Sequence, residues 1–293
     1  MSTPAFHFEN PDVSIVESHH FASLGKAELY ELLGHYGVVL FRNCIHSAEA
    51  FSAYVKQNSS RLSLDPARVM VGGAAQLVDA GHQAVGLHCE NGNSPFWPDM
   101  TWFYCQEAPR KGSQTTICDG EKVLARLSSG CRSFFENNPI RYSRTVAGEK
   151  WRRLVCHYSP TLSNPADVVI EDLLQIIGND PQTQISFNPA DDSMHYAFST
   201  SAILTSAFSQ RPAFANSILG PSFNYEAPVI DTVDGQAIPA EFLAEIAEVS
   251  AQYTVPVGWR DHDVVMIDNR RVMHGRETIV DERRRIFNAL SYR

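Results

Sequence analysis

The chain has 293 residues, a formal net charge of −9, 44% apolar residues and 19% charged residues. This ordinary globular balance argues against a disordered or fibrous protein, and the acidic charge argues against a nucleic-acid partner. No apolar run approaches a membrane span, the six scattered cysteines lack a CxxC pair, and the N-terminus lacks a signal-like pattern. We therefore expect a cytoplasmic protein with reduced thiols and no membrane contact.

Helical and strand patterns alternate along the first half of the chain. Lysine, leucine and tyrosine at helical spacing before Gly34 and Gly37 predict a first helix, and the apolar run that follows predicts a buried strand. In chain order the patterns predict a helix over 26–33, a strand over 38–41, a helix over 46–57, irregular structure over 71–86, a hairpin over 101–118 and a helix over 121–137.

The second half ends in strand patterns. A helix is predicted over 168–177 and another from Ile238 through Ile246, and after Pro256 the pattern becomes β-type, with an apolar run over 264–267 and alternation over 285–292. We expect one domain over 1–293 with a β-rich core and flanking helices, an α+β arrangement in which residues of about 145–215 form a lid or insert.

A candidate metal site begins at Leu87-His88-Cys89-Glu90. On an extended segment, residues two apart point to the same side, so His88 and Glu90 can reach one metal. His274 is the best candidate for a third ligand. Two histidines and one carboxylate leave three coordination positions open, which suits Fe(II) that must bind a bidentate cosubstrate and dioxygen.

A candidate anion-binding arginine lies in the last predicted strand. Arg285 follows His274 by 11 residues and shares a face of the alternating segment with Phe287 and Ala289. If this strand pairs near His274, the guanidinium of Arg285 enters the same cavity, where it is suited to bidentate binding of a carboxylate. A surface role is the alternative, because three arginines stand in a row here.

Three motifs together resemble the taurine dioxygenase-like (TauD/TfdA) family, including its clavaminate synthase-like branch. They are the HxE block at 87–91, the segment Gly112-Ser113-Gln114-Thr115 through Gly120, and a C-terminal block made of Gly258-Trp259-Arg260, Val264 to Asp268 and His274-Gly275-Arg276. The spacings of 27 residues from His88 to Thr115 and of 11 from His274 to Arg285 fit the family pattern.

The resemblance implies a double-stranded β-helix, or jelly-roll, fold. It implies that His88, Glu90 and His274 bind Fe(II), and that Arg285 and Thr115 bind the C5 carboxylate of 2-oxoglutarate. Taurine-type members carry a second arginine four residues after the cosubstrate arginine, where this chain has Ala289. A substrate sulfonate held in that way is therefore not expected.

The expected function is that of an Fe(II)- and 2-oxoglutarate-dependent dioxygenase, with O₂ as second cosubstrate, that oxidises a C–H bond of a small organic metabolite or natural-product intermediate. Hydroxylation is the default outcome, with desaturation, epoxidation or cyclisation as alternatives, and succinate and CO₂ are released. Asn91, Asn93, Phe96 and Arg276 are candidate substrate contacts. A His₂Glu zinc hydrolase and a non-catalytic jelly-roll binding protein remain open, as does the oligomeric state.

Overall fold

Two β-sheets packed face to face form the centre of the molecule. The computed structural model describes residues 15–18, 21–63, 70–78, 81–159, 161–221 and 226–293. The strands over these residues are β1 (Ile15–Ser18), β2 (Val38–Phe41), β3 (Arg61–Ser63), β4 (Met70–Val71), β5 (Ala75–Leu77), β6 (Val85–His88), β7 (Met100–Glu107), β8 (Thr115–Asp119), β9 (Ile140–Val146), β10 (Thr183–Asn188), β11 (Ser193–Thr200), β12 (Ile203–Thr205), β13 (Pro212–Phe214), β14 (Val229–Thr232), β15 (Thr254–Pro256), β16 (Val264–Asp268), β17 (Val272–Arg276) and β18 (Arg285–Tyr292). The helices are α1 (Lys26–Tyr36), α2 (Ala48–Gln57), α3 (Gly120–Arg126), α4 (Ser129–Asn137), α5 (Gly148–Tyr158), α6 (Ile170–Ile177) and α7 (Ala240–Gln252), with 3₁₀ turns at Phe21–Ser23 and Pro165–Asp167.

The two central sheets are almost entirely antiparallel. The larger runs in the order β1-β2-β16-β7-β18-β5-β4, with β3 also paired to β18, and only its β1–β2 pair is parallel among the described residues. The smaller sheet runs β15-β8-β17-β6. Two facing antiparallel sheets with crossover connections form the predicted jelly roll, and the expected β-rich core with flanking helices is confirmed.

Both faces of the larger sheet are buried. On the inner face, side chains such as Phe103 and Ile286 meet Ile117 of the smaller sheet. On the outer face, Trp102 and Phe287 pack against α1 and α2. Successive residues of a strand point to opposite faces of the sheet. Since both faces are buried here, apolar residues occur on both sides of β7 and β18, and the sequence pattern does not show which side faces the other sheet.

The predicted first helix extends three residues beyond its expected end. α1 continues through Gly34 to Tyr36, and Gly37 follows with a φ of 74°, a conformation in which glycine carries no Cβ penalty. The Gly37 N–H donates to the Leu33 carbonyl and closes the helix. This places β2 directly after α1, so the helix packs on the outer face of the sheet that it precedes.

Three sequence-based expectations about elements were wrong. The hairpin expected over 101–118 does not form, because β7 pairs with β16 and β18 in the larger sheet while β8 pairs with β15 and β17 in the smaller sheet. The helix expected over 121–137 is two helices, because the Ser128 hydroxyl accepts a hydrogen bond from the Cys131 N–H and starts a new helix there. The segment 71–86, expected to be irregular, contains β5 and the beginning of β6. Across the described ranges, all six cysteines are free thiols and no helix has both the length and the apolar character of a membrane span.

The segment for which the sequence was least informative builds a third layer. β10, β11, β9 and β14 form a four-stranded antiparallel sheet, and α5 and α6 pack on it. Trp151, Val155 and Leu173 are almost fully buried in the cluster between these helices and the sheet. This layer covers the side of the jelly roll on which β6 ends.

Candidate active site

Three potential metal ligands converge at the end of β6. His274 lies opposite His88 in the antiparallel pairing of β17 with β6, and the two imidazole centroids are 4.4 Å apart. Glu90 follows β6 in a turn. Cys89, between the two ligands, is buried in a hydrophobic cluster that includes Trp97, Cys118 and Met273. The ligand atoms of His88, Glu90 and His274 all lie within 4.8 Å of one another.

The charges within this group stabilise one another. Glu90 Oε1 is 3.3 Å from His274 Nε2 and 3.9 Å from His88 Nε2. Burial opposes the charged carboxylate, but hydrogen bonds from both imidazoles hold the pKa of Glu90 well below its usual range. The pKa of His274 is lowered by burial and by the nearby His88. An ionised carboxylate beside a neutral imidazole is the state in which these groups donate electron pairs to a metal.

Backbone and side-chain contacts orient the ligands. His88 Nδ1 lies 2.8 Å from the Gly86 carbonyl oxygen, so a proton held on Nδ1 leaves Nε2 as the nitrogen that can bind a metal. The fully buried Asn269 side chain accepts from the Glu90 N–H at 2.9 Å and donates to the Glu90 carbonyl at 3.0 Å. Two imidazoles and one carboxylate held in this way fit Fe(II), with room left for further ligands on the cavity side.

A cavity of about 290 Å³ opens in front of the three residues. Arg284, which lines it, is 8% exposed, and its Nε has no hydrogen-bond partner among the described residues. Its nearest polar contact is the Thr115 hydroxyl, 3.5 Å from one guanidinium nitrogen. Burial and the charge of Arg276 lower the pKa of Arg284 to about 10, so it stays protonated at neutral pH. The site therefore holds a buried, uncompensated cation.

The structure corrects the placement of the expected cosubstrate arginine. Arg285 is exposed and pairs in the β-ladder with Glu107, beside a register shift. Phe287 and Ala289, which were expected to share its cavity-facing side, instead pack toward α1 and α2. The cavity side of β18 carries Ile286 and Asn288, in line with Arg284.

With Arg284 as the cavity arginine, the position four residues further along the chain also changes. The residue four places after the cavity arginine is Asn288 and not Ala289. Asn288 is 4% exposed, lines the cavity, and has an Oδ1 without a hydrogen-bond partner in the described structure. The absence of an arginine here still argues against a sulfonate site, but the position is polar and faces the ligand space.

The four candidate substrate contacts all line the cavity. Asn93 accepts a hydrogen bond from the Tyr196 hydroxyl at its backbone carbonyl, at 2.5 Å, and Phe96 stacks on Tyr158 at 4.7 Å. Asn91 has a positive φ of 54° and turns the chain after Glu90. Arg276 is 7% exposed, and one of its guanidinium nitrogens donates to the Gly81 and Gln83 carbonyls. Part of its hydrogen-bonding capacity is therefore used by the backbone and not by a ligand.

Sequence reasoning missed several residues of this site. Asn269 carried no signal beyond lying between Asp268 and His274. The Trp259 indole donates to the Thr115 hydroxyl at 3.2 Å, but in the sequence Trp259 stood out only as part of the C-terminal motif and not as a site residue. Arg144, which also lines the cavity, lies in a segment where no strand was predicted. An alternating pattern of Ile140, Tyr142 and Val146 was the signal available for that strand.

Comparison with known proteins agrees with this geometry. The family model described as "Taurine catabolism dioxygenase TauD, TfdA family" matches residues 2–290. The chain belongs to the TauD/TfdA family. It is accordingly an Fe(II)- and 2-oxoglutarate-dependent dioxygenase, which favours the oxygenase over the zinc hydrolase and the non-catalytic protein left open by the sequence.

Individual relatives of this TauD/TfdA member are distant. A clavaminate synthase-like protein of Arabidopsis thaliana is 22% identical over 319 residues, which cover 99% of this chain and 92% of the relative. Among solved structures, PvcB of Pseudomonas aeruginosa is 16% identical with a TM-score of 0.59, over 95% of this chain and 84% of that one. AAD-2, solved with Mn(II) and N-oxalylglycine, is 12% identical with a TM-score of 0.59, over 99% and 97%. These structures share the fold.

Proposed function

We propose that this oxygenase oxidises a C–H bond of a small organic molecule, with Fe(II) held by His88, Glu90 and His274 and the C5 carboxylate of 2-oxoglutarate held by Arg284 and Thr115. Hydroxylation is the default outcome, and desaturation, epoxidation and cyclisation are the alternatives. The proposal replaces Arg285 by Arg284 as the cosubstrate arginine and retains the other residues expected from the sequence.

The buried guanidinium of Arg284 is the observation that carries the cosubstrate assignment. An unpaired charge in the interior is costly, so it persists where a ligand of opposite charge completes it. Thr115 Oγ1 already accepts from the Trp259 indole and faces Arg284, so its own O–H is available to donate to a carboxylate oxygen. A carboxylate placed here receives a charge-assisted hydrogen bond and a hydroxyl hydrogen bond together.

The chain contributes binding, orientation and exclusion of water. Fe(II), with 2-oxoglutarate and O₂ bound, supplies the oxidising chemistry that breaks the C–H bond and releases succinate and CO₂. Phe103 packs edge-on against His274 at 5.2 Å and limits the movement of that imidazole. Asn269 fixes the backbone of Glu90, and the apolar cavity wall keeps bulk water from the reacting atoms.

The layer built from about 145–215 is proposed to act as the lid over this site. Leu154 of α5, Ile177 of α6 and Met194 of β11 line the cavity, so these elements close its outer side. Their side chains determine which substrate body fits, because the opposite wall is occupied by the metal ligands and Arg284. Residues 1–293 are proposed to act as one unit with this lid.

Neighbouring arginines offer a matched test of the cosubstrate site. Anaerobic titration of 2-oxoglutarate into the Fe(II)-loaded protein should show a dissociation constant raised by about 10- to 150-fold in Arg284→Gln, the equivalent of losing about 1.5–3 kcal/mol of charged hydrogen bonding. Arg285→Gln, one residue away and exposed, should bind within about twofold of the parent, since a surface arginine contributes little. A larger effect in Arg285→Gln than in Arg284→Gln would refute the assignment.

Metal dependence tests the reaction class separately. Succinate release, measured over candidate substrates, should disappear on chelation and return with Fe(II) but not with Zn(II). His88→Ala should release no metal-dependent succinate, because one of three ligands is lost. Equal succinate release by His88→Ala and the parent would contradict the metal site.

A further inference from the structure

The part of the cavity lined by the third layer differs in chemical character from the part lined by the metal ligands. Its walls are apolar side chains of the third layer, and Phe96 stacks on Tyr158 with an interplanar angle of 11°. The apolar residues contributed by that layer are Val146, Trp151, Leu154, Leu173, Ile177 and Met194. A compartment with such walls fits an apolar or aromatic body.

Arg144 is the exception within these walls. It lies on the buried face of β9 together with Ile140, Tyr142 and Val146, and it is 9% exposed. One guanidinium nitrogen donates to the Glu226 carbonyl at 3.2 Å, while the buried Nε has no partner in the described part of the chain. Its guanidinium carbon lies 5.6 Å from the centroid of the Tyr196 ring. No carboxylate of a described residue lies within ion-pair distance of it.

The charges that line the cavity are unbalanced. Glu90 is the only carboxylate among the described lining residues, although the whole chain has a net charge of −9. Three of the lining cations have assigned contacts: Lys150 pairs with Glu226, Arg276 binds two carbonyls, and Arg284 is proposed to bind 2-oxoglutarate. Arg144 forms no ion pair within the described residues: the Glu226 carboxylate pairs with Lys150 and acts on Arg144 only at longer range, and the buried Nε of Arg144 has no hydrogen-bond partner. A guanidinium in such a low-dielectric cavity attracts an anion.

The part of the cavity lined by the third layer is joined to the metal ligands through Tyr196. The Tyr196 hydroxyl donates to the carbonyl of Asn93, which follows Glu90 by three residues, and the Tyr196 ring faces Arg144. A ligand held by Arg144 therefore lies in the same cavity as the metal ligands. Its body extends between the apolar walls.

We propose that Arg144 binds the carboxylate of the substrate, and that the substrate is a small carboxylic acid with an apolar or aromatic body. This inference rests on the proposed function, since it assigns the C5 carboxylate of 2-oxoglutarate to Arg284 and leaves Arg144 for a different ligand. Arg144 is then a specificity-determining residue, because a planar guanidinium distinguishes a carboxylate from its uncharged amide by charge and by hydrogen bonding.

Matched acid and amide probes test this directly. The full chain, loaded anaerobically with Fe(II) and 2-oxoglutarate, is titrated by calorimetry with 3-phenylpropionate and 3-phenylpropionamide, and with hexanoate and hexanamide. For at least one pair the acid should bind about tenfold tighter than the amide or more. In Arg144→Met the ratio should fall to within about twofold, and in Arg144→Lys it should be intermediate. Arg141→Met, on the same strand but paired with Asp231, should keep the parent ratio.

The outcomes separate this inference from the proposed function. If neither pair favours the acid in the parent, or if the preference survives in Arg144→Met, the role of Arg144 is overturned while Fe(II)-dependent 2-oxoglutarate binding stands. If the parent fails to bind 2-oxoglutarate, the proposed function falls and this inference with it. Should Arg144→Met not fold, dicarbonyl labelling of the parent decides: the acid but not the amide should protect Arg144, and equal labelling would overturn the proposal.

Discussion

Asn269 is predicted to control metal affinity without touching the metal. Its side chain accepts from the Glu90 N–H at 2.9 Å and donates to the carbonyls of Glu90 and Pro98, each at 3.0 Å, and it is fully buried. Asn269→Ala removes three interior hydrogen bonds and leaves their backbone partners unpaired. At about 1 kcal/mol each, the free energy of unfolding of the metal-free protein should fall by roughly 3 kcal/mol.

The same substitution should weaken metal binding. Groups that orient a metal ligand typically contribute about 10- to 100-fold in metal affinity. At saturating Fe(II), Asn269→Ala should therefore lose a further ~1.4–2.7 kcal/mol of metal-induced stabilisation relative to the parent. Urea unfolding with and without Fe(II), under anaerobic conditions, measures both quantities in one experiment.

A second buried asparagine serves as the control. Asn58 is 5% exposed, and its side chain donates to the Tyr54 carbonyl at the end of α2, outside the cavity lining. Asn58→Ala should lower the stability of the metal-free protein and leave the Fe(II)-induced increment unchanged. If Asn269→Ala likewise leaves that increment unchanged, the reasoning that Asn269 holds Glu90 in its binding geometry is refuted.

Two further predictions concern buried charges near the turn that precedes β17. Burial raises the pKa of Asp268 to about 6, above its ordinary value, although the Ser206 hydroxyl donates a hydrogen bond to it. Because this folded-state pKa lies above the unfolded value, the folded protein binds more protons than the unfolded chain. The free energy of unfolding should therefore fall by up to roughly 3 kcal/mol as pH rises from about 4 to about 6. Urea unfolding across this range should show the slope in the parent and a smaller one in Asp268→Asn, and equal slopes would contradict the prediction. Asp119 accepts two hydrogen bonds, of 2.7 and 3.0 Å, from the buried guanidinium of Arg271. Asp119→Ala should lower the free energy of unfolding by about 3 kcal/mol, since that guanidinium loses its main partner. A loss below about 1 kcal/mol at neutral pH would contradict this and show that Glu121, 3.2 Å from Arg271, compensates fully.

Local patterns were sufficient for much of the fold and for two of the three metal ligands. The buried strands at 38–41 and 264–267 were predicted from apolar runs, and the pair His88 and Glu90 from its two-residue spacing. These predictions depend on backbone periodicity, which is a local property. His274 was named as the best candidate for the third ligand and the family resemblance supported it, but nothing local relates Glu90 to a partner 184 positions away.

The identity of the cavity arginine was decided only by the tertiary structure. β18 is buried on both faces, so Arg284 and Arg285 each begin an apolar alternation, and the sequence does not indicate which side faces the cavity and which faces α1 and α2. Packing of the two sheets makes that choice, and a shift of one residue exchanges the faces. The same holds for Arg144: its strand is recognisable by alternation, but its position in the cavity follows from the docking of the third layer, which no local pattern encodes.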